Sequence, residues 1–120
     1  MDINTRLVDG VRVIELSGVL DTTSARRVQV TVLPLVEPEG RMLLDVTEVD
    51  YMSSAGLRFL LSLYRHTSNL HVQLVLVGVA EEVRDTMEVT GFADFFTVRA
   101  TPTEGLALLS GDNPDARDSH

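Results

Sequence analysis

The stretch "RMLLDVTEVDYMSSAGLRFLL", residues 41–61, changes character within a few residues. Its start, "RMLLDV", predicts a short buried strand. From Ser54 to about Ser68, Leu57, Leu60, Leu61 and Tyr64 fall on one stripe, which predicts an amphipathic helix. Between the two lie Met52, two serines and the pair Ala55-Gly56. A strand delivered into a helix in this way is half of a crossover unit. It also poses a question: why two hydroxyls stand at the junction.

On the N-terminal side, "INTRLV" alternates loosely and "DG" at Asp9-Gly10 is a two-residue hairpin signal. "VRVIEL" then sets Val11, Val13 and Leu16 against Arg12 and Glu15. The first two strands are expected as an antiparallel hairpin. Gly18 and the Thr/Ser cluster of "SGVLDTTSA" break the pattern and suit a helix cap. Val28, Val32 and Leu35 recur at helical spacing and predict a helix from Ala25 to about Val36, although "VQVTV" locally favours a strand. Pro34, Pro38 and Glu39-Gly40 end it.

On the C-terminal side, "HVQLVLVGV" predicts a strand long enough to be central in a sheet. Glu81 to Thr90 reads as a helix with an acidic first turn and Gly91 just past its end. "FFTVR" is a last short strand, and the Thr-Pro of "TPTEGLALLS" opens a final helix. After the hairpin, strands alternate with helices, so a largely parallel sheet with crossover connections follows. The expectation is an α/β fold ordered ββαβαβαβα, a mixed sheet of about five strands with about four helices, in one domain over residues 1–110. The polar segment "GDNPDARDSH", residues 111–120, is expected to be disordered.

Composition narrows the function. A chain of 120 residues with 44% hydrophobic content fits a single core, and without Trp that core must be aliphatic. The absence of Cys removes disulfides, thiolate catalysis and cysteine metal sites. Every basic residue is Arg, so Schiff-base and phosphate-loop lysines are excluded. A net charge of −8 argues against nucleic acid and anionic membranes as partners. No apolar run approaches the ~20 residues that span a bilayer, and "MDINTRLVDG" lacks the apolar region of a signal peptide. The expected location is the cytoplasm.

Catalytic patterns are missing. A nucleophile elbow needs Gly-x-Ser-x-Gly, and Ser54 has Gly56 after it but Met52 before it. His66 lies about 18 Å of helical rise from Ser54. His71 precedes a strand running away from the serine, so neither histidine can activate it. "DVTEVD" lacks the Gly and terminal Glu of a calcium loop, and Asp45, Glu48 and Asp50 read as strand-end and turn residues. Gly78, Gly91 and Gly105 stand alone, outside any phosphate-binding signature. No enzyme, metal or cofactor is expected.

The serines remain. A Ser at a helix start accepts a backbone N–H of the first turn, worth about 1 kcal/mol. The same position suits a phosphoryl group, because free N–H groups and the positive dipole end stabilise an anion. Small neighbours at Ala55 and Gly56 leave room for a kinase or a partner surface. Spacing alone leaves both readings open.

Three segments together resemble a known family. "LSGVLDTTSA", "LLDVTEVDYMSSAGLRFLL" and "LVLVGVAEEVRDTMEVTGFADFFTV", in that order, are similar to the STAS domain, and specifically to the bacterial anti-sigma-factor antagonists. The resemblance implies partner switching. The unmodified protein binds an anti-sigma factor with serine kinase activity; that partner, using its own ATP, phosphorylates the antagonist and ends the association; a phosphatase restores it. The resemblance places the phosphoacceptor at Ser54, with Ser53 as the alternative. It places Gly18, Leu20, Asp21, Thr22 and Thr23 beside the same partner surface as Met52, Ser53, Ser54, Ala55, Gly56 and Arg58. Ser53 stands where the family has Asp, and Ala55 where it has a second Ser or Thr.

On the predicted helix Phe59 and Leu63 lie opposite the stripe of Leu57, Leu60, Leu61 and Tyr64. They are expected on the outer face, as ordinary exposed hydrophobes or as an apolar docking centre with Met52, rimmed by Arg58 and Arg65. The same family resemblance also admits a scaffold or accessory subunit, stressosome-like or associated with a lipid transporter. A small-ligand sensor is a third class, for which no pocket signature is legible. Oligomeric state is not legible either.

Overall fold

Asp9 (φ 51°) and Gly10 (φ 81°) both adopt left-handed backbone conformations in the computed structural model, which describes residues 1–110. Two consecutive positive φ values belong to the hairpin turn whose twist matches paired strands. The expected hairpin forms, with β1 (Asp2–Val8) antiparallel to β2 (Val11–Leu20).

The remaining strands are all parallel to their neighbours. β3 (Arg41–Met52), β4 (Gln73–Val77) and β5 (Thr97–Arg99) complete a five-stranded sheet in the spatial order β1-β2-β3-β4-β5. Parallel neighbours require the chain to return to the same end of the sheet. The helices α1 (Thr22–Val32), α2 (Ser54–Asn69) and α3 (Glu81–Thr90) lie in those returns, and α4 (Pro102–Leu109) follows β5. The order ββαβαβαβα is the one expected from sequence. The expected disordered tail, residues 111–120, lies outside the described residues.

Alternation along β3 sends Met42, Leu44 and Val46 to one face and Leu43 to the other. The first face packs against Val28 and Val32 of α1, Phe59, Leu60 and Leu63 of α2, and Met87 of α3. On the second face Leu109 of α4 joins Val11, Val13, Val75 and Val77. A Cβ at Gly105 would stand 2.7 Å from Leu43 Cδ1 and 2.8 Å from Val77 Cγ1, so α4 rests on the sheet through its backbone. Each fully buried aliphatic side chain contributes about 1.5–3 kcal/mol. Such a core has no need of disulfides.

Both boundaries of α1 differ from expectation, each for a local reason. Helix α1 starts at Thr22, three residues before Ala25. The Asp21 carboxylate accepts the N–H groups of Thr23 and Ser24, both at 3.1 Å, while the Ser24 hydroxyl accepts the Asp21 N–H at 2.8 Å. This reciprocal cap starts the helix early. At its other end α1 gives way to a 3-10 turn over Leu33–Leu35, with Pro34 inside it. Burial of Val28 and Val32 overrides the local strand preference.

Strands β2 and β3 run to Leu20 and Met52, well past the expected ends near Leu16 and Val46. Glu15 and Ser17 pair with Asp45 and Glu48, and Gly18 and Val19 pair with Val49 and Tyr51. Each shift places one extra residue on β3. Such bulges interrupt the alternation by which a strand is recognised. At the first, the Asp45 carboxylate accepts both the N–H (2.9 Å) and the hydroxyl of Thr47. At the second, Gly18 sits at φ 111°, a conformation that side-chain-bearing residues avoid.

Candidate functional site

The bulged ends of β2 and β3 lay two loops side by side. Val19 faces Tyr51 and Leu20 faces Met52 across the ladder. The Ser53 N–H then donates to the Leu20 carbonyl at 2.9 Å, and the Ser24 hydroxyl to the Val19 carbonyl at 2.7 Å. Both strands end here, and both α1 and α2 begin here. The carboxyl ends of parallel strands are where α/β sheets place their ligands.

The two serines have separate roles. Ser53 is the N-cap of α2, with extended backbone (φ −81°, ψ 177°), and its Oγ accepts the Ala55 N–H at 3.2 Å. Ser54 is the first helical residue, and it is exposed. Among the described residues its hydroxyl makes no hydrogen bond. Capping therefore accounts for one hydroxyl and leaves the other free.

Across the loop, the Asp21 carboxyl is held below its ordinary pKa. The Ser24 N–H is the main cause, opposed by burial and assisted by the Ser24 hydroxyl and the Thr23 N–H. Asp21 thus spends its charge inside its own cap.

The other predicted contact residues divide by exposure. Thr22, Thr23 and Arg58 are exposed, and Gly18, Asp21, Met52, Ser53 and Ala55 are half-buried. Leu20, Gly56, Phe59 and Leu63 are buried, which corrects their assignment to a partner surface. Leu20 is part of the core. At Gly56 a Cβ would stand 2.5 Å from Met52 Cγ and 3.0 Å from Leu20 Cγ, so the glycine seats α2 against the strand ends.

Phe59 and Leu63, 1% and 0% exposed, are core residues rather than an outer face. The reason lies in the neighbours of α2. It packs against the sheet and α1, and its other flank meets the chain after α3, where Tyr64 stacks on Phe95 with ring centroids 5.2 Å apart. A helix enclosed on three sides has an apolar arc much wider than one stripe. The stripe of Leu57, Leu61 and Tyr64 is the half-buried flank of that arc. The face turned to solvent carries Ser54, Arg58 and Arg65.

Apolar groups do stand at the site, though not those expected. Val19 is 43% exposed and Tyr51 60%, facing each other on β2 and β3. The bulges break the strand periodicity that would have marked both. Val30 of α1, also exposed, lines a groove between α1 and α2 together with Arg26 and Arg58. On the other side of α2, Tyr51, Met52 and Leu57 face Val79 and Val83 across a groove of about 180 Å³.

Among the described residues no cluster of His, Cys, Asp or Glu could hold a metal ion, and no helix is long and apolar enough to cross a membrane.

Known proteins resemble this chain in sequence and in fold. Residues 2–105 match the STAS domain. BtrV of Bordetella bronchiseptica, a candidate anti-sigma factor antagonist by name, is 33% identical over 92 residues, covering 76% of this chain and 79% of BtrV. The anti-sigma-B factor antagonist of Listeria monocytogenes is 27% identical over 99 residues, 82% of this chain and 83% of its own. Among solved structures, an anti-sigma factor antagonist from Mycobacterium paratuberculosis superposes with a TM-score of 0.80 at 21% identity, covering 90% of this chain and 92% of that one.

Proposed function

The chain belongs to the STAS domain family, and from that membership we propose that it is an anti-sigma-factor antagonist that regulates transcription by partner switching. In the unmodified form it binds an anti-sigma factor through the face built from the exposed and half-buried residues of segments 18–24 and 51–58, and so releases a sigma factor. The anti-sigma factor is a serine kinase with its own ATP, and it phosphorylates Ser54. The complex then separates until a phosphatase removes the group. The antagonist performs no catalysis and works in the cytoplasm.

One observation carries this reading: Ser54 is exposed and, among the described residues, without a hydrogen bond, while Ser53 caps the helix. A kinase can therefore reach the hydroxyl without undoing the fold. Phosphate brings about −1.5 to −2 charges at pH 7. Placed in a desolvated contact, such charge opposes association by several kcal/mol through repulsion and desolvation. The apolar part of the contact falls to Val19, Tyr51 and Met52.

The test is to incubate the chain with the anti-sigma kinase of its own organism and ATP, then map the modified residue by mass spectrometry. Phosphate on Ser54 is the expected result. Phosphate confined to Ser53 or to another residue would overturn this account of the switch.

A further inference from the structure

The solvent face of α2 carries Ser54 and, one turn later, Arg58. Residues four apart on a helix stand about 5–6 Å apart at Cβ, and an anion preceding a cation is the favourable order. Arg58 is exposed and unpaired: the one salt bridge among the described residues joins Arg6 to Glu15 at 3.5 Å.

We propose that Arg58 is the internal counter-ion of a phosphate on Ser54, so that modification closes an ion pair along the chain's own surface. The proposal rests on the phosphorylation reading of Ser54 and deepens it. In the unmodified protein the guanidinium is free to meet a carboxylate of the partner. In the modified protein the phosphate holds it through charge-assisted hydrogen bonds. Phosphorylation then alters the docking face twice, adding an anion and withdrawing a cation.

The surrounding charges leave Arg58 as the principal partner. Arg26 of α1 lines the same groove as Arg58 and adds to the positive potential there. Asp21, before α1, has its carboxylate engaged by its own cap. Asp50 of β3 and Glu82 of α3 line the groove on the other flank of α2. The capping residue between strand and helix, Ser53, is uncharged, so no carboxylate at that position competes for the guanidinium. Arg65 shares the outward face but lies three turns from Ser54, about 16 Å along the axis.

The experiment installs phosphoserine at position 54 of the full chain by genetic encoding and titrates the phosphate by phosphorus NMR. Free phosphoserine loses its second proton near pH 6. Arg58→Gln is expected to raise that pKa by about 0.3 of a pH unit, a two-fold change in the ionisation constant, while Arg65→Gln leaves it in place. Identical titrations of the parent and Arg58→Gln proteins would overturn the proposal, as would an equal rise with Arg65→Gln. Because no kinase or partner takes part, that failure would leave partner switching standing. Conversely, a kinase that ignored Ser54 would not alter the titration.

Discussion

Ser53 Oγ accepts the Ala55 N–H at 3.2 Å, and this bond divides the labour between two adjacent serines. The cap is structural and the free hydroxyl next to it is not. Ser53→Ala should therefore cost about 1 kcal/mol of stability in urea unfolding. Ser54→Ala should change stability by less than about 0.5 kcal/mol. Equal losses at the two positions would refute the division.

Phe59 distinguishes a core residue from a docking residue. At 1% exposure, Phe59→Ala should destabilise the fold by about 3–5 kcal/mol. Tyr51→Ala, at 60% exposure, should leave the unfolding midpoint nearly unchanged while weakening partner binding. Chemical denaturation with a binding isotherm for each variant would separate the two roles.

At Gly56 helix α2 and the strand ends approach closely. Gly56→Ala must displace Met52 and Leu20, and overpacking of this kind costs about 1–3 kcal/mol. An unchanged unfolding midpoint would mean that α2 can move away from the strand ends without penalty.

Much of this architecture is legible in the sequence. Asp9-Gly10, Thr101-Pro102 and Gly91 mark a hairpin and two helix ends where the structure has them. Beyond the locally set ends of α1, the parts that were not legible share one cause, the dependence of local pattern on distant packing. The bulges opposite Ser17 and Val19 hide the last residues of β2 and β3, and with them the exposed pair Val19 and Tyr51. The position of α2 within its layer decides that Phe59 and Leu63 face inward, which no stripe on the helix alone could tell. Ser53 and Ser54 show the same dependence, since either hydroxyl could have served as the cap.

Asp21 gives the fold a pH dependence of known sign. Its folded-state pKa lies below the ordinary value of 3.8, so the unfolded chain binds the proton more readily. The carboxylate's contribution is present above pH 3.8 and is lost as the pH falls through the lower folded-state value. Asp21→Asn, which keeps an acceptor without the charge, should remove this component. Thermal unfolding from neutral pH into the acid range should then fall less steeply for the variant than for the parent.

The central claim is that charge at Ser54 controls association without disturbing the fold. Calorimetric titration of the anti-sigma partner with the parent, Ser54→Ala and Ser54→Asp proteins tests it most directly, with circular dichroism as the control for folding. The account predicts parent-like affinity for Ser54→Ala and at least about a ten-fold loss, roughly 1.4 kcal/mol, for a folded Ser54→Asp. Equal affinity of a folded Ser54→Asp protein would contradict it.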